Sequence, residues 1–169
     1  MKKLSTSLFI LLCFYSYGYA SGSDTNFSEG KTAFEAQKYD EAINYFDKAI
    51  ANDPNNAEAY AYRGRAKRDI DLKSSIDDCT KAIDLNPSLC QAYYGRGNAE
   101  SISKKFDEAI KDFNKAIELN PKFAEAYASR GITKYYAGDK AGAIEDLKKA
   151  GELGFNKAYE MIRRFEESN

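Results

Sequence analysis

Residues 90–123 read CQAYYGRGNAESISKKFDEAIKDFNKAIELNPKF, and this stretch is one turn of a pattern that runs through the chain. Within it Gly97 is followed twelve residues later by Ala109, seven further on by Ala116, and then by Pro121. Working outward, the same glycine stands at Gly30, Gly64 and Gly131, so that the four are spaced 34, 33 and 34 residues apart. Ala42 and Ala143 lie twelve residues after their glycines and Ser75 eleven after Gly64; Ala49, Ala82 and Ala150 follow each by seven. Pro54 and Pro87 close the first two units as Pro121 closes the third. A small residue on each of two neighbouring helices lets their backbones approach closely, with larger side chains filling the space around the crossing. The phrases Leu85-Asn86-Pro87 and Leu119-Asn120-Pro121 end helices, because proline disfavours helical geometry in the residue before it.

A period of about 34 residues with this signature resembles the tetratricopeptide repeat. Tyr60, Tyr93 and Tyr127 occupy that family's early aromatic place, Tyr39, Leu72 and Phe106 precede the second helix, and Phe46, Cys79, Phe113 and Leu147 fill the aromatic place within it. The resemblance covers roughly residues 23–157 and implies an all-α, right-handed superhelix of four helix-turn-helix repeats, about 23–56, 57–89, 90–123 and 124–157. Beyond them Ala158, Met161, Ile162 and Phe165 recur at helical spacing, which predicts a capping helix over about 158–167 with one apolar face. Terminal repeats are expected to be atypical, as Asn26 in the first unit and Gly154-Phe155 in the fourth suggest. The second unit is one residue shorter, which leaves its turn near Asp69–Asp71 open.

Composition agrees with a helical domain. The 169 residues are 43% hydrophobic and 30% charged, with three prolines and no histidine. Absence of histidine removes the commonest general base, the Ser-His and Cys-His nucleophile pairs and most zinc sites. No cofactor or metal site is expected, and catalysis is disfavoured. Residues 1–20 read as a signal peptide: a basic Lys2-Lys3 start, an apolar run from Leu8 to Tyr15, and Gly18 and Ala20 placed for cleavage before Ser21. Ser16, Tyr17 and Gly18 interrupt the run too early for a membrane anchor, and the large Leu12 before Cys13 fits a lipoprotein signal poorly. Residues 21–169 are therefore expected in the periplasm or outside the cell, with 23 basic against 26 acidic side chains and no electrostatic footprint for nucleic acid. Cys79 and Cys90 are expected to remain unpaired, as small buried residues at different levels of successive helices.

Arg63, Arg96 and Arg130 each precede a repeat glycine, and Asp78, Asp112 and Asp146 follow 15 or 16 residues later; the first unit lacks both members. Joint presence and joint absence predict bidentate pairs within each helix hairpin. The resemblance also implies where a ligand would lie, on the face lined by the first helix of each unit. Its groove places hold Phe27, Lys31 and Phe34, then Ala61, Arg65 and Arg68, then Tyr94, Asn98 and Ile102, then Ala128, Ile132 and Tyr135. Aromatic and aliphatic ends with a basic middle suit a peptide or helical segment of another protein that carries apolar anchors and a carboxylate. The dicarboxylate clamp of cytosolic co-chaperones is not reproduced, since its places hold Phe27, Tyr62, Gln91 and Gly95. The expectation is a non-catalytic adaptor in the bacterial envelope. The alternative is a structural component that self-assembles through its end faces, with the Met161, Ile162 and Phe165 helix docked on a second chain.

Overall fold

The computed structural model describes residues 25–167, and the expected signal peptide lies outside them. Helix α1 covers 25–35 and α2 Tyr39–Asn52; α3 is Ala57–Lys67 and α4 Leu72–Leu85; α5 is Cys90–Ile102 and α6 Phe106–Leu119. Helices α7, Ala124–Tyr136, and α8, Lys140–Glu152, form the last pair, and α9, Lys157–Glu167, follows. No strand occurs among the described residues. Helices α3, α5 and α7 each pack on the helix that follows, residues of α1 pack on α2, and α9 lies against α8, giving an all-α repeat solenoid. The first helices α3, α5 and α7 also touch one another in succession, whereas the second helices do not come comparably close. That inequality curves the stack and places the first helices on its inner face.

The turns repeat for local reasons. Asp53, Asn86 and Asn120, each before a proline, are extended with ψ of 94°, 92° and 92°. Their side chains accept from the backbone N–H two residues on, Asn55 at 3.0 Å, Ser88 at 3.0 Å and Lys122 at 3.1 Å. Within three units the turn passes through a left-handed residue seven positions after the repeat glycine: Gln37 (φ 59°), Lys104 (φ 61°) and Gly138 (φ 97°). The shortened second unit dispenses with that residue. There Asp71 caps α4, accepting from Ser74 N at 3.1 Å and Ser74 Oγ at 2.6 Å.

The repeat glycines sit where two helices cross. A Cβ on Gly64 would fall 2.9 Å from the Ser75 carbonyl oxygen, and one on Gly131 2.9 Å from that of Ala143. Phe46, Cys79, Phe113 and Leu147 are fully buried beside these crossings. Met161, Ile162 and Phe165 pack on Ala128, Leu147 and Ala150 of their own chain. Cys79 and Cys90 are both free thiols.

The arginine–aspartate pairs form in all three units that contain them. Arg63 Nε donates to Asp78 at 2.8 Å, Arg96 Nε to Asp112 at 2.6 Å and Arg130 Nε to Asp146 at 2.8 Å, each doubled by an Nη2 bond to the other carboxylate oxygen. The remaining guanidinium nitrogen reaches back 16 residues to the preceding unit, to Asp47 at 2.7 Å, Thr80 at 3.3 Å and Asn114 at 2.6 Å. The pair thus ties a hairpin together and staples it to its neighbour. In the second and fourth units a lysine adds a further cation, Lys67 to Asp78 at 3.0 Å and Lys134 to Asp146 at 2.9 Å.

The third unit breaks this arrangement. Glu100 stands at the place of Lys67 and Lys134, and its Oε2 is buried without a hydrogen-bond partner among the described residues. Burial first and the Asp112 charge second push its carboxyl from 4.5 up to about 7; Glu108 acts in the same direction, Arg96 and Lys105 against it. A raised carboxylate pKa means that the folded chain holds a proton the unfolded chain releases. Stability therefore falls as pH rises from about 4.5 to 7, and the whole penalty is present above that. Glu100→Gln is expected to be more stable than the parent at pH 8 by about 1 kcal/mol after solvent screening of a partly buried group, with the difference vanishing near pH 5. Thermal melts of both chains across that range check it. Glu100→Lys, which restores the cation of the neighbouring units, should stabilise at least as much at pH 8.

Candidate functional site

The first helices bring five of the sequence-predicted groove residues together. Phe34 from α1, Arg65 from α3, Arg68 just beyond it, and Tyr94 and Asn98 from α5 line one cleft of about 190 Å³ with Tyr39 and Gly95. None of the lining residues is acidic.

The two arginines are held differently. Arg68 is engaged by its neighbour: Nε donates to Asp69 Oδ1 at 3.0 Å and Nη2 to Oδ2 at 2.7 Å. Those bonds hold the Asp69 carboxyl below its ordinary value. Arg65 instead lies among three rings, its guanidinium carbon 4.8 Å from the centroid of Phe34, 5.2 Å from Tyr62 and 5.6 Å from Tyr94. No hydrogen bond or ion pair joins that guanidinium to another described residue. Gly95 makes the placement possible, because a Cβ there would lie 2.8 Å from Arg65 Cγ and 2.8 Å from Cys79 Sγ.

The other predicted residues lie beside or away from the cleft. Phe27 meets Tyr62 edge to face at 5.8 Å, and Lys31 Nζ stands over both rings at 5.8 and 5.7 Å. Ile102 is half exposed and borders a shallow depression with Arg68, Ile70 and Leu72. Ile132 is half buried on α7. Tyr135 stacks on Phe165 of α9 at 3.7 Å and 11°, so the capping helix covers one face of its ring. Ala61 and Ala128 are buried in helix contacts. The sequence pattern placed Tyr62 and Gly95 only at the places of the co-chaperone clamp and Tyr39 only before the second helix, none of them as lining of this groove. A usable signal existed for Gly95, since only the third unit has a second glycine two residues before the repeat glycine.

Nucleophilic chemistry finds no support in the two thiols. Burial pushes Cys79 up to about 12, and burial raises Cys90 as well, so neither is a ready thiolate at neutral pH.

The sequence profile of the tetratricopeptide repeat matches residues 27–69 and 90–123. A solved structure titled "Crystal structure of MamA" is 33% identical, superposes with a TM-score of 0.65, and is aligned over 81% of each chain. The first TPR of Spaghetti (RPAP3), solved bound to the HSP90 peptide SRMEEVD, is 30% identical with a TM-score of 0.64, over 70% of this chain and 94% of that one. The chain belongs to the tetratricopeptide-repeat family. Such repeats are interaction modules, and the curated relatives carry them within longer proteins. Hsp70-Hsp90 organizing protein 3 of Arabidopsis thaliana is 31% identical over 84 residues, 49% of this chain and 15% of the relative. Hsc70-interacting protein 1 of Drosophila melanogaster is 36% identical over 83 residues, 48% of this chain and 22% of its own length. This tetratricopeptide chain thus spans less than a quarter of those two proteins.

Proposed function

We propose that this protein is a non-catalytic adaptor that holds a segment of another protein in the concave groove of its repeats. The observation that carries the reading is the cleft between α1, α3 and α5, where aromatic walls surround a guanidinium that is unpaired among the described residues. Aromatics and arginine are the side chains that most often dominate binding energy at protein interfaces. The peptide held by the Spaghetti module supports the same use of the fold. The co-chaperone clamp places hold Phe27, Tyr62, Gln91 and Gly95 here, so the contacts made would differ. Among the described residues no helix is long and apolar enough to cross a membrane. The signal-peptide pattern of residues 1–20 makes the bacterial envelope, periplasmic or secreted, the proposed location.

One experiment addresses both parts. The full chain, expressed in its source with a photo-crosslinking amino acid at Tyr94, is recovered from the envelope, with the same label at exposed Lys148 on α8 as control. The expected result is an intact mass beginning at Ser21 and one protein crosslinked at Tyr94 but not at Lys148. A chain retaining Met1 would overturn the location, and equal capture at both positions would overturn the groove. Self-assembly through the last helix gains nothing from the fold, where that helix packs on its own chain.

A further inference from the structure

The cleft has a chemical preference that the repeat pattern does not carry. Arg65 is caged by Phe34, Tyr62 and Tyr94, its stem lies along α5 where Gly95 has no side chain, and its guanidinium has no protein partner among the described residues. An arginine held between rings has already lost much of its rotamer freedom, and its weakly hydrated fork keeps its in-plane N–H donors for an acceptor. In an exposed surface role such a side chain would be expected to find a carboxylate of its own, as Arg68 does with Asp69.

We propose that Arg65, with Asn98 beside it, is the recognition site for a single carboxylate on the bound segment, next to an apolar side chain seated against Phe34, Tyr39 and Tyr94. This rests on the groove reading above. A carboxylate fits better than a phosphate dianion, because a dianion calls for a second free cation and Arg68 is engaged by Asp69. Arg68 is thus neutralised, and among the residues that line the cleft Arg65 is the unpaired cation; Lys31 stands outside it, over Phe27 and Tyr62. The carboxylate could belong to an acidic side chain or to a C-terminus, and the two are separable by probe.

The test uses the full chain with arginine labelled at nitrogen-15, following the side-chain Nε–H signals. The Arg65 signal is identified by its loss in Arg65→Lys. Four probes are titrated: acetyl-Phe-Asp-Ala-amide, its Asn counterpart, acetyl-Phe-Ala with a free C-terminus, and inorganic phosphate. The expected result is a saturable shift of the Arg65 signal with one or both carboxylate peptides, at least tenfold weaker binding of the Asn peptide, and, by calorimetric titration, an equal weakening of the carboxylate peptide on Arg65→Lys at unchanged thermal stability. Whichever carboxylate peptide saturates first names the source. Equal response to the Asn peptide, phosphate binding as tight as the peptides, or movement of Arg68 without Arg65 would each overturn the proposal. Failure here is distinguishable from failure of the groove. A Tyr94 crosslink that survives Arg65→Lys undiminished leaves the groove standing and removes the carboxylate site, whereas loss of any Tyr94-specific crosslink in the parent removes both.

Discussion

Asp146→Ala is expected to destabilise the chain by about 3 kcal/mol, lowering its thermal midpoint by roughly 10 °C. Asp146 is nearly buried and accepts from both Arg130 and Lys134, so its removal leaves two cations without their anion between α7 and α8. Arg130→Ala should cost less, because Lys134 still neutralises Asp146 at 2.9 Å. A double-mutant cycle on the two should give a coupling of about 2 kcal/mol. Asp146→Asn, which keeps the shape and one acceptor, should fall between parent and alanine. A coupling near zero in chemical denaturation would show that the pair is no more than an exposed ion pair, and the assignment of these arginines to architecture would fail with it.

Gly64→Val should be at least as damaging, at about 3–4 kcal/mol, and Gly64→Ala should cost about 2. Alanine gains about 1 kcal/mol of helix propensity over glycine, so a net loss means that steric displacement exceeds it. The obstruction is a backbone oxygen, Ser75 O at 2.9 Å, together with Cys79 Sγ at 2.7 Å and Asp78 Cβ at 3.2 Å, so α3 and α4 must separate to admit the methyl group. Separation also moves Asp78 away from Arg63 and loosens the staple to Asp47. Thermal melts of the three chains measure it. A Gly64→Ala chain as stable as the parent would mean that the crossing has slack, and that the recurrence of glycine at this place has another cause.

Much of the architecture was legible because it repeats and is local. The glycine period located the crossings, and the residue before each proline was extended for a reason visible in the dipeptide. The arginine–aspartate pairs could be read from residues that come and go together in the four units. The second unit's turn was not legible, since a deletion states what is lost but not that Asp71 will cap α4 in its place.

The groove divides more sharply. Its twelve places followed from the resemblance to the tetratricopeptide repeat, yet within them Arg65 and Arg68 looked equivalent, and Tyr135 looked as open as Tyr94. One arginine is caged by rings from three helices and the other is bound to its neighbour; one tyrosine lines a cleft and the other is stacked under Phe165. Glu100 could be seen in the sequence as a lysine place filled by an acid, but not that its oxygen would be buried beside Asp112. By itself the sequence determined the helices, the proline turns between units and the pairing within each hairpin, because these depend on local spacings that repeat. Only the tertiary structure decided which side chains are free, caged or covered, because that depends on the angle between units and on rotamers that do not repeat.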